Sequence, residues 1–168
     1  MIKTFDGKTP KVAATAFVSE LACIIGDVEI GENSSIWPGA FIRGDYASIK
    51  IGNNSQIEDN CVVHAWGPLV IGDKVHVGHG AVIHCSKIGK DVLVGINAAI
   101  LPGAEIGDFC VIAAGSVVVE GMKIPDASFV AGVPAKVKGR TTEAHAARVE
   151  GGVRSYIELA RKYKEQGL

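Results

Sequence analysis

Aromatic side chains are scarce in this 168-residue chain: Phe, Trp and Tyr together make up 6%. A core packed around large rings is excluded, although the 48% hydrophobic content can fill one with small and branched aliphatics. An excess of one charge is missing too. A formal net charge of −1 offers no electrostatic footprint for nucleic acid or an anionic membrane. No apolar run approaches the ~20 residues that cross a bilayer, and the opening Met1–Asp6 lacks the apolar stretch of a secretory signal. Neither nucleic acid nor membrane is expected as a partner. No C-x-x-C pair occurs; Cys23, Cys61, Cys85 and Cys110 sit among apolar residues, which suits reduced thiols and a cytoplasmic protein. Glycine, by contrast, is abundant. Twenty-one of them demand either a flexible linker or a regular series of turns.

The turns are regular. An aliphatic residue returns every six positions through Val18, Ile24, Ile30, Ile36 and Ile42, then Ile51, Ile57 and Val63, then Ile71, Val77 and Ile83. From Ile88 the beat runs on through Val94, Ile100, Ile106, Ile112, Val118, Ile124 and Val130. Two residues earlier stands something small, such as Ala40, Cys61, Ala81 or Ala98. Positions two apart share a face of a strand, whereas a helix needs a period of 3.6. Six-residue units that turn a corner each time build a triangular coil, and every third key residue forms a column. One column carries glycine directly after it: Gly31, Gly52, Gly72, Gly89 and Gly107. There a Cβ would clash or require positive φ. The expected fold is an all-β solenoid of hexapeptide repeats over residues 1–140. Residues 141–168 form a helical segment packed on the solenoid or on a neighbour. Thr141-Thr142-Glu143 caps its start, Gly151-Gly152 breaks it, and Tyr156, Ile157, Ala160, Tyr163 and Lys164 follow at helical spacing.

The columns also place polar residues. After Ile42, Val63 and Ile83 come Arg43, His64 and His84 on one outward edge. Rungs ~4.8 Å apart let the two imidazoles converge on one ion. His79 falls in the next column, beside Asp59 one rung below. It lies five residues from His84, up to ~16 Å of extended chain, while zinc–nitrogen bonds are ~2 Å. A second chain packed alongside could bring its own His79 to that edge, and three-fold packing would create three equivalent sites. His76 and His145 read as plain surface residues, and Cys85 as a buried free thiol rather than a fourth ligand.

Arg43-Gly44-Asp45, then Glu58-Asp59-Asn60-Cys61-Val62-Val63-His64, then Val77-Gly78-His79-Gly80-Ala81-Val82-Ile83-His84 resemble the gamma-class carbonic anhydrases and their bacterial relatives, over about residues 8–137. The resemblance implies a left-handed parallel β-helix and a homotrimer. It implies a divalent metal, zinc first and iron or cobalt otherwise, held by His64 and His84 of one subunit and His79 of the next. It implies reversible hydration of carbon dioxide to bicarbonate by a metal-bound hydroxide. Arg43 and Asp45 would brace the subunit contact, though Arg43 also fits a plain interface ion pair. Glu58, beside Asp59, stands where better-known members carry the Gln that orients the hydroxide, and a carboxylate could orient it or repel bicarbonate. The acidic proton-shuttle loop of the best-studied members is missing, since Ala65–Val70 contains no acid; His76 is a weak substitute, and activity could be low. Two rival readings remain at this stage: acyl transfer from coenzyme A, the other common task of such coils, and a catalytically silent metal-binding trimer.

Overall fold

The six-residue beat folds into three flat parallel faces. The computed structural model describes residues 1–168 as a parallel β-solenoid of about seven turns, of the left-handed hexapeptide type, closed by one long helix. Each key aliphatic points inward. Ile42, Val63, Ile83, Ile100 and Val118 stack in register along one face. Ile51, Ile71, Ile88, Ile106 and Ile124 stack along the second, and Val18, Ile36, Ile57, Val77, Val94, Ile112 and Val130 along the third. Most are fully buried, each contributing roughly 1.5–3 kcal/mol of transfer free energy. Strands Cys23–Ile30 and Phe41–Ile51 each run on round a corner. The coil ends in an antiparallel pair, Ser128–Gly132 with Ala135–Arg140.

The glycine column owes its composition to close approach, not to backbone sign. A Cβ on Gly31 would lie 2.6 Å from the carbonyl oxygen of Gly52 one rung on. Positive φ falls two residues later in each rung, at Asn33, Asn54, Lys74, Asp91, Phe109 and Ala127.

The outward ladders differ from face to face. Lys50, Val70, Lys87, Glu105 and Lys123 line one, and its charges are solvated. Ser35, Gln56, His76, Leu93, Val111 and Phe129 line another, which the C-terminal helix overlies. The third ladder is apolar and bare: Phe41, Val62, Val82, Ala99 and Val117. Its first three side chains are 39–41% exposed.

The helix spans Glu143–Gln166 without interruption. Gly151-Gly152, expected to break it, lie within it. Each costs about 1 kcal/mol against Ala in a helix, but burial of Val149, Val153 and Ala160 against the solenoid outweighs this. The scarce aromatics gather in that seam. Trp37 packs on Phe17, Tyr156 and Tyr163 with ring centroids 5.1–5.2 Å apart. Thr142 is the N-cap, in a capping box closed by His145, which also stacks on Phe129 with centroids at 5.3 Å. His145 is thus a structural residue, not the plain surface histidine its sequence position suggested. No helix is long and apolar enough to cross a membrane.

Candidate metal centre

His64 ends strand Val62–His64, and His84 directly follows strand Val82–Ile83 one rung on. The registry Val62↔Val82 and Val63↔Ile83 stacks them on the bare apolar face. Their ring centroids are 5.0 Å apart, and Nδ1 of His64 faces Nε2 of His84 at 3.1 Å. Arg43 pairs with His64 on the rung before and forms a salt bridge to Asp45 of its own chain. Asp45 Oδ1 accepts from Nε2 of His64 at 3.1 Å. That bond fixes the proton on Nε2 and leaves the Nδ1 lone pair aimed at His84.

Electrostatics support the same assignment. Burial lowers the His64 pKa and the nearby Arg43 guanidinium adds to this, against the opposing pull of Asp45. The ring is therefore neutral near pH 7, the form that binds a metal. Asp45 would be raised by burial, but hydrogen bonds from Arg43 and its own backbone, with the Arg43 charge, hold it below the usual carboxylate value. Two aromatic residues flank the pair edge-on: Tyr46 over His64 at 5.9 Å and Trp66 over His84 at 5.0 Å.

Facing nitrogens of this kind fit an ion. Ligand atoms of an ion with bonds of about 2.0–2.1 Å stand roughly 2.9–3.4 Å apart in tetrahedral or octahedral arrangements. Nδ1 of His84, the ring nitrogen that does not face His64, is buried without a partner. No three His, Cys, Asp or Glu side chains of the chain converge as a ligand set. Cys85 is 1% exposed among core aliphatics, and burial pushes its thiol up to about 12. It supplies no thiolate.

His79 lies elsewhere. It stands at the next corner, where Asn60, Gly80 and Asn97 take left-handed backbone one after another up the coil. Directly before them Asp59, His79 and Ile96 protrude. Asp59 Oδ2 meets Nδ1 of His79 at 3.0 Å, and Glu58 Oε2 meets its Nε2 at 3.1 Å. Within one chain His79 therefore engages these two carboxylates and not His64 or His84.

Sequence reasoning read His76 as a surface residue and a weak proton shuttle, and missed its contact with Glu58. It is mostly buried, with Nε2 2.5 Å from Glu58 Oε1. Burial would raise the Glu58 pKa, but hydrogen bonding from His76 and Tyr156, with the charges of His76 and His79, lowers it on balance. Burial first, then the Glu58 carboxylate, push the Tyr156 phenol up, so it remains a donor. The only signal was the ladder that puts His76 above Gln56, one turn from Glu58.

Known proteins share this architecture. The family model for bacterial transferase hexapeptide (six repeats) matches residues 85–119. Gamma carbonic anhydrase 2, mitochondrial, of Arabidopsis thaliana is 38% identical over 95% of the chain, which spans 60% of that relative's length. A carbonic anhydrase of Geobacillus kaustophilus is 43% identical over 98% of the chain and 91% of its own length. Among solved structures, a Bacillus cereus protein provisionally described as an acetyltransferase superposes with a TM-score of 0.95 at 40% identity, covering 98% of this chain and 97% of its own.

Proposed function

We propose that this chain, which belongs to the gamma carbonic anhydrase family, catalyses the reversible hydration of carbon dioxide at a divalent metal held between subunits of a homotrimer. The observation that carries the reading is the facing pair, His64 Nδ1 and His84 Nε2, on the one uncovered apolar face. The ladder Phe41–Val62–Val82–Ala99–Val117 suits burial by a neighbouring copy. A neighbour docked there would bring its protruding His79 as third ligand. Three imidazoles suit zinc, with iron or cobalt as alternatives.

A divalent ion in that position would supply Lewis acidity, lowering the pKa of a water towards ~7 so that a nucleophile for carbon dioxide exists near neutral pH. The residues of the chain do the rest. Asp45 keeps the proton of His64 on Nε2, so Nδ1 stays free to bind. Asp59 plays the matching part at Nδ1 of His79, so Nε2 is the nitrogen presented once Glu58 Oε2 lets it go. Glu58 then keeps an acceptor oxygen beside the reacting centre, where it orients a donor. The Tyr46 and Trp66 ring edges give carbon dioxide, an uncharged molecule, an apolar approach. Arg43 neutralises Asp45 and stays half-exposed at the subunit seam. The Ala65–Val70 loop offers no acid, so protons leave by buffer. Four free cysteines suit a reducing compartment, and the cytoplasm is the proposed location.

The test is stopped-flow carbon dioxide hydration after loading with zinc, cobalt or anaerobic iron, at rising buffer concentration. Hydration that rises with buffer and vanishes in His64→Ala is expected. Stoichiometric metal without hydration would sink the enzymatic reading in favour of a silent metal-binding trimer. Coenzyme A binding without metal would favour acyl transfer.

A further inference from the structure

The C-terminal helix reaches the candidate centre through one chain of contacts. Glu58 is 3% exposed, so its carboxylate has exchanged water for protein donors, and a donor lost there would leave it unsatisfied. Oε2 takes the backbone N–H of His79 at 2.9 Å and lies against the His79 ring. Oε1 is held by Nε2 of His76. A carboxylate only accepts, so that nitrogen carries the proton. On its other side the His76 ring meets the helix. Tyr156 packs edge-on to it, centroids 5.1 Å apart and planes at 87°. The helix backbone approaches so closely that a Cβ on Gly152 would stand 2.9 Å from His76 Nδ1.

Resting on the metal-site reading above, we infer that His76, backed by Tyr156 and Gly152, is a positioning residue for His79. It fixes Glu58, and Glu58 fixes, through the His79 backbone N–H, the position of the one ligand that must reach the neighbouring subunit. The need is physical. His64 is buried and held by Asp45, but His79 is about half-exposed at a protruding corner, and once Glu58 releases Nε2 only Asp59 holds its ring. An unrestrained imidazole must be ordered when the ion binds, at a cost in conformational entropy. Partners behind metal-binding histidines exist to avoid that cost. The bland alternative makes His76 only an anchor for the helix, acting on stability and not on the metal.

Three variants of the full-length protein separate these roles: His76→Phe, which keeps the ring edge but removes the donor; His76→Gln, which keeps a donor; and Tyr156→Phe. Zinc and cobalt dissociation constants are measured by chelator competition, beside thermal unfolding and light scattering. His76→Phe is expected to weaken metal binding about tenfold with helix content and trimer mass unchanged. His76→Gln should recover most of the loss, and Tyr156→Phe should lose less than His76→Phe. In the metal-free protein, a slowly exchanging imidazole N–H proton resonance should be present and vanish in both His76→Phe and Glu58→Gln. Wild-type affinity in His76→Phe, failure of His76→Gln to rescue, or absence of that resonance overturns the inference while leaving the metal centre standing. If His64→Ala, run in parallel, keeps its ion, the metal-centre reading itself falls and the positioning role with it.

Discussion

Nδ1 of His64 and Nε2 of His84 face each other at 3.1 Å on consecutive rungs, while Asp45 occupies the remaining nitrogen of His64. Asp45 thereby selects the tautomer that leaves a lone pair pointing at His84. Asp45→Asn keeps the shape but can turn its amide NH2 towards Nε2 and favour the wrong tautomer. A 10–100-fold loss of metal affinity is expected, read by chelator competition. Unchanged affinity would show that Asp45 has no hold on the ligand.

The bare apolar ladder makes a second prediction. Val82 points outward and is 39% exposed, so Val82→Asp should leave the coil folded while placing a charge in the subunit contact. Light scattering should report a monomer, and the bound metal should be lost with the trimer. β-sheet circular dichroism should not change. A Val82→Asp protein that remains trimeric would place the contact on some other face.

Glu58 governs a pH dependence in the metal-free protein. Its pKa is lowered on folding because the hydrogen bonds and charges around it win over burial. The folded state therefore binds fewer protons, and the stability Glu58 contributes is complete above the ordinary value near ~4.3 and lost as pH falls through the lower folded value. In urea titrations wild type should exceed Glu58→Gln at pH 6, and the gap should narrow below about pH 4. A gap that stays constant down to pH 3 would mean that this carboxylate is not selectively stabilised in its charged form.

Adjacent glycines in the helix should respond in opposite ways. A methyl added at Gly151 would meet nothing within 4 Å, whereas one added at Gly152 would meet His76 at 2.9 Å. Gly151→Ala should stabilise the protein by about 0.5–1 kcal/mol through helix propensity. Gly152→Ala should forfeit that gain and lower the melting temperature. Equal gains at both positions would mean that the helix does not press on His76.

Much of this was legible because a solenoid converts sequence spacing directly into spatial neighbours. The six-residue beat placed Ile42, Val63 and Ile83 in one stack, and with them Arg43, His64 and His84 on one edge. Asp59 and His79 could be paired for the same reason. What spacing does not encode is what covers a face. His76 read as a surface residue because the helix over its ladder begins more than sixty positions later in the chain, and the Glu58–His76 contact runs diagonally between adjacent rungs, two positions out of register. Gly151-Gly152 misled for a related reason: local propensity favoured a break, and burial of Val149, Val153 and Ala160 against the coil overrode it. The glycine column was correctly located, and of the two causes offered, a clash or positive φ, the clash holds: it is with the backbone of the next rung, a contact between turns.

The central claim is that each ion is shared, with His64 and His84 from one subunit and His79 from the next. Subunits carrying His64→Ala and subunits carrying His79→Ala, each expected to form metal-free trimers, can be unfolded together, refolded as a mixture and assayed for bound zinc. Every mixed trimer should regain one complete site, at the junction where the two kinds of subunit complement each other. If the mixture stays as empty as its parents, or if His79→Ala alone retains its ion, the shared centre is contradicted.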